Sequence, residues 1–306
     1  MSKTKRIALS CLLVAAIAFV AGCALLDVVT QAGTTVGVAT GAITPSQAES
    51  INKSSEAVGK AFDKITPEQE YYLGRSVAAV LFKTFKPYDN QAANHYLNVM
   101  GQTIAQFSDK PETFGGYRFM IMNTEEINAF AAPGGLILVS KGLLRCCKSE
   151  DELAAVLAHE IAHVQHGHAI GAISKSRWTS ALTTSLAEAG KQFGPAEVAE
   201  LTKAFEGCLS DMVNTLVNSG YARGLETEAD KSAVTILARV GYNPTGLKNM
   251  LQEMNRIMPH DGKGFAKTHP DPKVRIKDIE PLLVSFGPVN SPAKRTERFK
   301  AGLAGI

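Results

Sequence analysis

Ser149 to His168 reads SEDELAAVLAHEIAHVQHGH, and inside it His159-Glu160-Ile161-Ala162-His163 spells H-E-x-x-H. Leu153, Val156, Leu157, Ile161 and Val164 recur at helical spacing, which predicts one helix through the whole stretch. Ser149 followed by Glu152 predicts a capping box, with Glu150 and Asp151 in a first turn that favours negative charge. Side chains four residues apart share a helix face, so His159 and His163 can aim both imidazoles at one metal ion, with Glu160 beside it. Zinc suits imidazole ligands and, with an open coordination position, makes a nucleophile of water near neutral pH. Glu160 is then placed as the catalytic base that takes the water's proton. On this stretch alone, a buried helix with two incidental histidines stays open as the alternative.

Two histidines do not complete a zinc site, and a third protein ligand must come from elsewhere. The metzincin solution, a histidine six residues after the second, fails because that position is Ala169. His166 and His168 are near but displaced, and His166 reads as a polar residue at the helix end. The better source is Tyr221 to Ala233, YARGLETEADKSA, read as a helix. Glu226 and Asp230 share one face, Arg223 stands one turn before, and Glu228 points to the opposite side. That predicts His159, His163 and Glu226 around one zinc ion per chain, with Asp230 orienting a histidine ring. A solvated charged helix face is the competing account of the same run.

The 306 residues, 45% of them apolar, suffice for a full core in one large or two modest domains. Lys3, Lys5 and Arg6 precede an apolar run from Ile7 to Val20, the pattern of a secretory signal. Val20-Ala21-Gly22-Cys23 resembles the lipobox of bacterial lipoproteins, which makes residues 1–22 a signal peptide and Cys23 a lipidated N-terminus. A retained membrane helix is the alternative. Ala24 after the cysteine resembles lipoproteins sent on to the outer membrane. Without residues 1–22, lysine plus arginine falls from 32 to 29, equal to the 29 acidic residues. A neutral chain gives no basic patch for nucleic acid, so the lipid rather than surface charge is the expected membrane attachment. Cys146, Cys147 and Cys208 remain, either as buried thiols or with one of the first two bridged to Cys208.

Residues 23–64 read as a tether rich in Gly, Thr and Ala, followed by a short helix from Ser46 to Phe62. Thr66-Pro67-Glu68-Gln69 starts a helix that runs to about Phe85, and another covers Gln91 to Phe107. Strands are expected at Tyr117 to Met122, Ile127 to Ala132 and Leu136 to Ser140, with Pro133-Gly134-Gly135 as the last turn. A small mixed or antiparallel sheet thus precedes the His159 helix. Ser174 to Lys191, which holds Trp178, and Pro195 to Leu216 read as helices, either scaffold or a lid over the site. A tail follows from 287 to 306.

NAFAAPGGLILVSKGLL, DELAAVLAHEIAHVQHGH, ARGLETEAD and THPDPKVRI follow one another in the order seen in the HtpX-like and CAAX-prenyl-endopeptidase-like zinc peptidases, which are gluzincins. The chain resembles that family from about Ile65 to Leu283. TPEQEYYLGR and the lipobox are similar to its branch of periplasmic lipoproteins that survey outer-membrane protein assembly. The resemblance implies a mainly helical, zincin-like α+β metalloprotease domain over residues 65–286, with the small sheet next to the H-E-x-x-H helix. It implies zinc on His159, His163 and Glu226, with Glu160 catalytic. It implies a substrate backbone paired with the strand Asn128, Ala129, Phe130 and Ala131. His269-Pro270 resembles a family loop near the site, so His269 can be a fourth ligand in a resting state, a substrate contact, or merely a helix cap. The expected activity is hydrolysis of internal peptide bonds in misfolded or misassembled envelope proteins, on the periplasmic face of the outer membrane. Protein partners are expected in that membrane, and nucleic acid is not. The competing expectation is a non-proteolytic chaperone or assembly factor whose zinc site is latent or plugged.

Overall fold

A computed structural model describes residues 34–36, 38–41, 44–49, 65–173, 195–257, 269, 271–286 and 289–306, with the backbone alone over 195–204. The signal segment with Cys23, most of the tether, the helix expected beyond residue 49, and Ser174 to Lys191 lie outside these residues. Among the described residues no helix is long and apolar enough to cross a membrane. The chain divides into two units, one of Met1–Ile65 with Ile173–Ser210, the other of Thr66–Ala172 with Asp211–Ile306. In the first, residues 45–49 are helical, and Thr44 and Gln47 cap that turn through reciprocal bonds of 2.9 and 3.2 Å.

The second unit begins with helix α1, Pro67–Thr84, whose Thr66 and Gln69 form the expected capping box. Gly74 is required there, because a Cβ at that position would stand 1.9 Å from the Pro133 carbonyl oxygen. Helix α2, Gln91–Ala105, lies along strand β1, Arg118–Met122. Its Asn94 and Asn98 side chains accept from Ile121 N–H and Phe119 N–H, each at 2.9 Å. Those amides close the outer edge of β1, which would otherwise present unpaired backbone groups.

Strands β2, Ala129–Ala132, and β3, Leu136–Ser140, complete a three-stranded sheet in the order β1-β3-β2. The sheet is mixed, with β3 parallel to β1 (Arg118 opposite Leu136) and antiparallel to β2 (Ala129 opposite Val139). Strand β2 starts two residues later than the sequence suggests, since Asn128 turns its side chain back onto Ala129 N–H at 2.9 Å. The Pro133–Gly135 turn needs Gly134 at φ 70°, a left-handed backbone suited to glycine.

Short helix α3, Lys141–Cys146, leads to the central helix α4, Glu150–His166, which is buried on all sides from Glu150 to Val164. Only half of the expected capping box forms. Ser149 accepts from Glu152 N–H at 3.2 Å, but Glu152 accepts from Lys148 N–H at 2.6 Å instead of closing back on Ser149. Glu150 and Asp151 are buried because the C-terminal helix α9, Ala293–Gly302, seats its arginines on them. Arg298 Nε reaches Glu150 Oε2 at 2.8 Å and Arg295 reaches Asp151 at 3.2 Å. Tyr96 and Tyr242 also donate to Glu150, at 3.0 and 2.7 Å. Helix α5, Pro195–Asn214, ends in a wider turn at Thr215–Ser219. Helices α6, Arg223–Val240, and α7, Thr245–Ile257, then pack on α4, and α8, Pro272–Leu283, packs on both of them. The fold is mainly helical α+β. Cys146 and Cys147 are buried free thiols, so neither is bridged to Cys208.

Candidate metal centre

Helical spacing on α4 sets His159 and His163 one above the other, with their Nε2 atoms 3.0 Å apart. Helix α6 crosses α4 and delivers Glu226 between them. Glu226 Oε2 lies 3.5 Å from His159 Nε2, and Oε1 lies 3.3 Å from His163 Nε2. His269, just before α8, places Nδ1 2.8 Å from Glu226 Oε2. All four side chains are buried, and their donor atoms lie within 4.8 Å of one another.

These residues fit a zinc ion. Ligand atoms set tetrahedrally at about 2.1 Å from an ion stand about 3.4 Å apart, close to the separations found here. Glu226 Oε1 is buried without a hydrogen-bond partner, which a protein seldom tolerates unless something else satisfies that oxygen. The donor set, two imidazoles and a carboxylate, is one that catalytic zinc sites use.

A second layer holds these groups. Asp230 Oδ1 stands 2.9 Å from His159 Nδ1. Arg275 on α8 grips the same carboxylate, Nε to Oδ2 at 2.8 Å and Nη2 to Oδ1 at 2.6 Å. His168 reaches His163 from outside, Nδ1 to Nδ1 at 2.8 Å. Tyr221 stacks on His163 with ring centres 4.3 Å apart, and its phenolic oxygen is buried without a partner.

The charges follow from this packing. Burial and Arg275 both press His159 toward neutrality, yet Asp230 and Glu226 outweigh them and hold its pKa up at about 9. Burial pushes His163 down to about 3, against the pull of Glu226. Glu226 is ionised far below the usual carboxylate range; burial opposes this, but His269 and Arg275 prevail. Asp230 is likewise depressed despite its burial, chiefly by Arg275. Burial raises Glu160 to about 7. The site thus holds neutral His163 and anionic Glu226 ready to donate, with a proton on His159 that a metal must displace.

Glu160 faces a cleft between β2 and the segment 215–221, lined also by Ala129, Ala131, Leu216, Tyr221 and His269. Asn128 and Ser140 are bonded across the strands at 3.0 Å, so the ladder's alternation turns the backbone groups of Ala129 and Ala131 away from β3. The cleft is narrow, with a cavity of about 10 Å³. That is room for about one water and none for a peptide.

Of the predicted site residues, the structure brings together His159, Glu160, His163, Glu226, Asp230 and His269, beside Ala129, Phe130 and Ala131. Asn128 lies just before that strand. Arg223 belongs elsewhere. It is exposed, and with Thr227 one turn on it binds Asp278, at 3.2 and 3.1 Å, because that face of α6 meets α8 rather than α4. His166 is apart from the four converging donors and pairs with Ser232 Oγ at 2.8 Å. Sequence reasoning missed Arg275, Tyr221 and the contact of His168. A signal for Arg275 exists: with Pro272 and Ile279 it shares the buried stripe of α8.

Residues 91–282 match the family model for peptidase family M48. The chain is 26% identical over 247 residues to the beta-barrel assembly-enhancing protease of Escherichia coli K12, covering 78% of this chain and 48% of that protein. It is 35% identical over 162 residues to the mitochondrial metalloendopeptidase OMA1 of Schizosaccharomyces pombe, covering 51% of this chain and 43% of that one. To the metalloprotease LoiP of E. coli it is 25% identical over 169 residues, covering 55% and 64%. The chain spans about half the length of the first two relatives.

Proposed function

This chain belongs to peptidase family M48, and on that premise we propose that it is a metalloprotease, a zinc-dependent endopeptidase held in the bacterial envelope by lipid on Cys23. The observation that carries the metal assignment is the convergence of His159, His163 and Glu226, with a buried Glu226 oxygen that has no hydrogen-bond partner. Zinc, when bound, supplies a Lewis acid that polarises a carbonyl and acidifies a water. Glu160 takes the proton from the attacking water and returns it to the leaving nitrogen. An extended peptide adds to the free edge of β2, where Ala129 and Ala131 offer backbone groups and no bulk. Asp230, itself held by Arg275, keeps the His159 ring aimed.

Within the family we place the chain among the HtpX-like, CAAX-prenyl-endopeptidase-like enzymes, in the lipoprotein branch. The substrates proposed are misfolded or misassembled envelope proteins, and partners in the outer membrane follow from that location. The name of the Escherichia coli relative, an assembly-enhancing protease for β-barrels, supports this setting.

The narrow cleft and the contact of His269 with Glu226 favour a second reading, a latent enzyme whose resting state His269 completes as a fourth donor. Zinc content and casein degradation, wild type against Glu160→Gln, test the catalytic assignment. The variant should keep zinc and lose hydrolysis by about a hundredfold to ten-thousandfold. Activity within a few-fold of wild type removes Glu160 as the base. If wild type itself binds zinc and leaves casein intact, the latent reading stands. Fatty-acid labelling lost in Cys23→Ser tests the anchor; unchanged labelling and membrane attachment refute it.

A further inference from the structure

His168 is used by nothing in the mechanism above, yet its side chain is 4% exposed and lies against a metal-site histidine. On a continuous helix residue 168 would stand about 140° around the axis from residue 163 and could not meet it. Gly167 ends α4 with φ 67°, a left-handed backbone, and this turn folds His168 back onto His163.

With Nε2 of His163 kept for the metal, the hydrogen bonds that result admit one arrangement of protons. His163 Nε2 points at the other donors, 3.0 Å from His159 Nε2 and 3.3 Å from Glu226 Oε1, so as a metal ligand it keeps its lone pair there. Its proton is therefore on Nδ1, which donates to His168 Nδ1 at 2.8 Å. His168 must accept at that nitrogen, which puts its own proton on Nε2. Glu228 Oε2, 3.2 Å away, receives that bond. Glu226 and Glu228, about 200° apart on α6, thus stand at the two ends of one chain of rings. The stacked Tyr221 fixes the plane of His163 from one face, and His166 stacks on His168 with ring centres 5.4 Å apart.

We propose that His168 and Glu228 are positioning residues for His163, locking it in the Nδ1–H tautomer with Nε2 turned toward the metal. The inference rests on the reading of His159, His163 and Glu226 as the metal's ligands. A ligating histidine loses about tenfold to a hundredfold in metal affinity when the group that orients it is removed.

The test is zinc affinity of the full chain by competition with a chromophoric chelator, with folding of each zinc-free variant followed by circular dichroism. His168→Leu should weaken zinc about tenfold to a hundredfold. His168→Asn, whose side-chain oxygen falls near the Nδ1 position, should stay within about threefold of wild type. Glu228→Leu, half exposed and so tolerant of change, should weaken zinc by a smaller factor, while Glu228→Gln, still an acceptor, should not. Nitrogen-15 NMR of the zinc-free protein reads the tautomer directly: Nδ1–H for His163 in wild type, and a mixture in Glu228→Leu and His168→Leu. Wild-type affinity in His168→Leu, equal weakening by Leu and Asn, or an unchanged tautomer in both leucine variants overturns the relay. Glu226→Ala separates the two layers of the argument. If it loses zinc while His168→Leu does not, the relay alone is wrong; if it keeps zinc at wild-type affinity, the ligand set is wrong and the relay falls with it.

Discussion

Arg275→Met removes a guanidinium from a place where water cannot follow. Arg275 is 3% exposed and Asp230 0%, and two bonds of 2.6 and 2.8 Å join them in a fork. Methionine fills much of the same volume, so the change isolates the charge. It leaves a buried carboxylate with His159 as its remaining partner, at 2.9 Å. Breaking a buried pair by deleting one member costs about 3–5 kcal/mol. His159 offsets part of that, since Arg275 presses its pKa down and losing the arginine lets it hold a proton more firmly. The loss should sit near the lower figure, about 3 kcal/mol, and lower Tm by about 6–12 °C at about 2–4 °C per kcal/mol for a unit of this size. Urea and thermal unfolding of the zinc-free protein in excess chelator measure it without interference from the metal. Asp230→Asn on its own should also destabilise. The double variant should lose at least about 2 kcal/mol less than the sum of the singles, because the Asp230 charge that Arg275 offsets goes with it. Arg275→Met within 1 kcal/mol of wild type, or strict additivity, would refute the claim that Asp230 is held by this arginine.

Zinc uptake should be proton-coupled. With His159 held at about 9, close to one proton leaves per zinc at pH 7, and calorimetry in two buffers of different ionisation heat counts it. Affinity should then rise about tenfold per pH unit up to 9. The sign for the metal-free fold is opposite. His159 is raised above its ordinary 6.5, so its stabilisation is complete below that value and is lost as pH climbs through about 9. Urea midpoints at pH 7 and 9 should fall in that order, and a rise would contradict the Asp230 contact. Arg298→Ala should cost about 1.5–3 kcal/mol by thermal unfolding, since two bonds to the buried Glu150 go. Gly134→Ala should cost more than an ordinary loop change. Its φ is 70° and its Cβ would lie 2.6 Å from Tyr71 Cα, so a variant as stable as wild type would mean that the turn is built differently.

What could be read in advance divides along a physical line. Periodicity and caps are local, so α1, α2, α4 and the three strands stood where their residues said, to within about two positions at the ends. The pairing of Glu226 with Asp230 was legible for the same reason: four residues on a helix fix one face. Arg223 misled because sequence spacing shows which residues share a face, whereas the partner of each face is set by tertiary packing. Helix α6 is gripped by α4 on one side and α8 on another, and Arg223 fell on the second. The same limit hid Arg275, 45 residues beyond the aspartate it holds, although its place on a buried stripe with Ile279 marked it as a cation in need of an anion. His168 was passed over by a rule that is correct for an unbroken helix. Gly167 breaks that helix, and one residue with positive φ turns a histidine that spacing had excluded into a neighbour of His163.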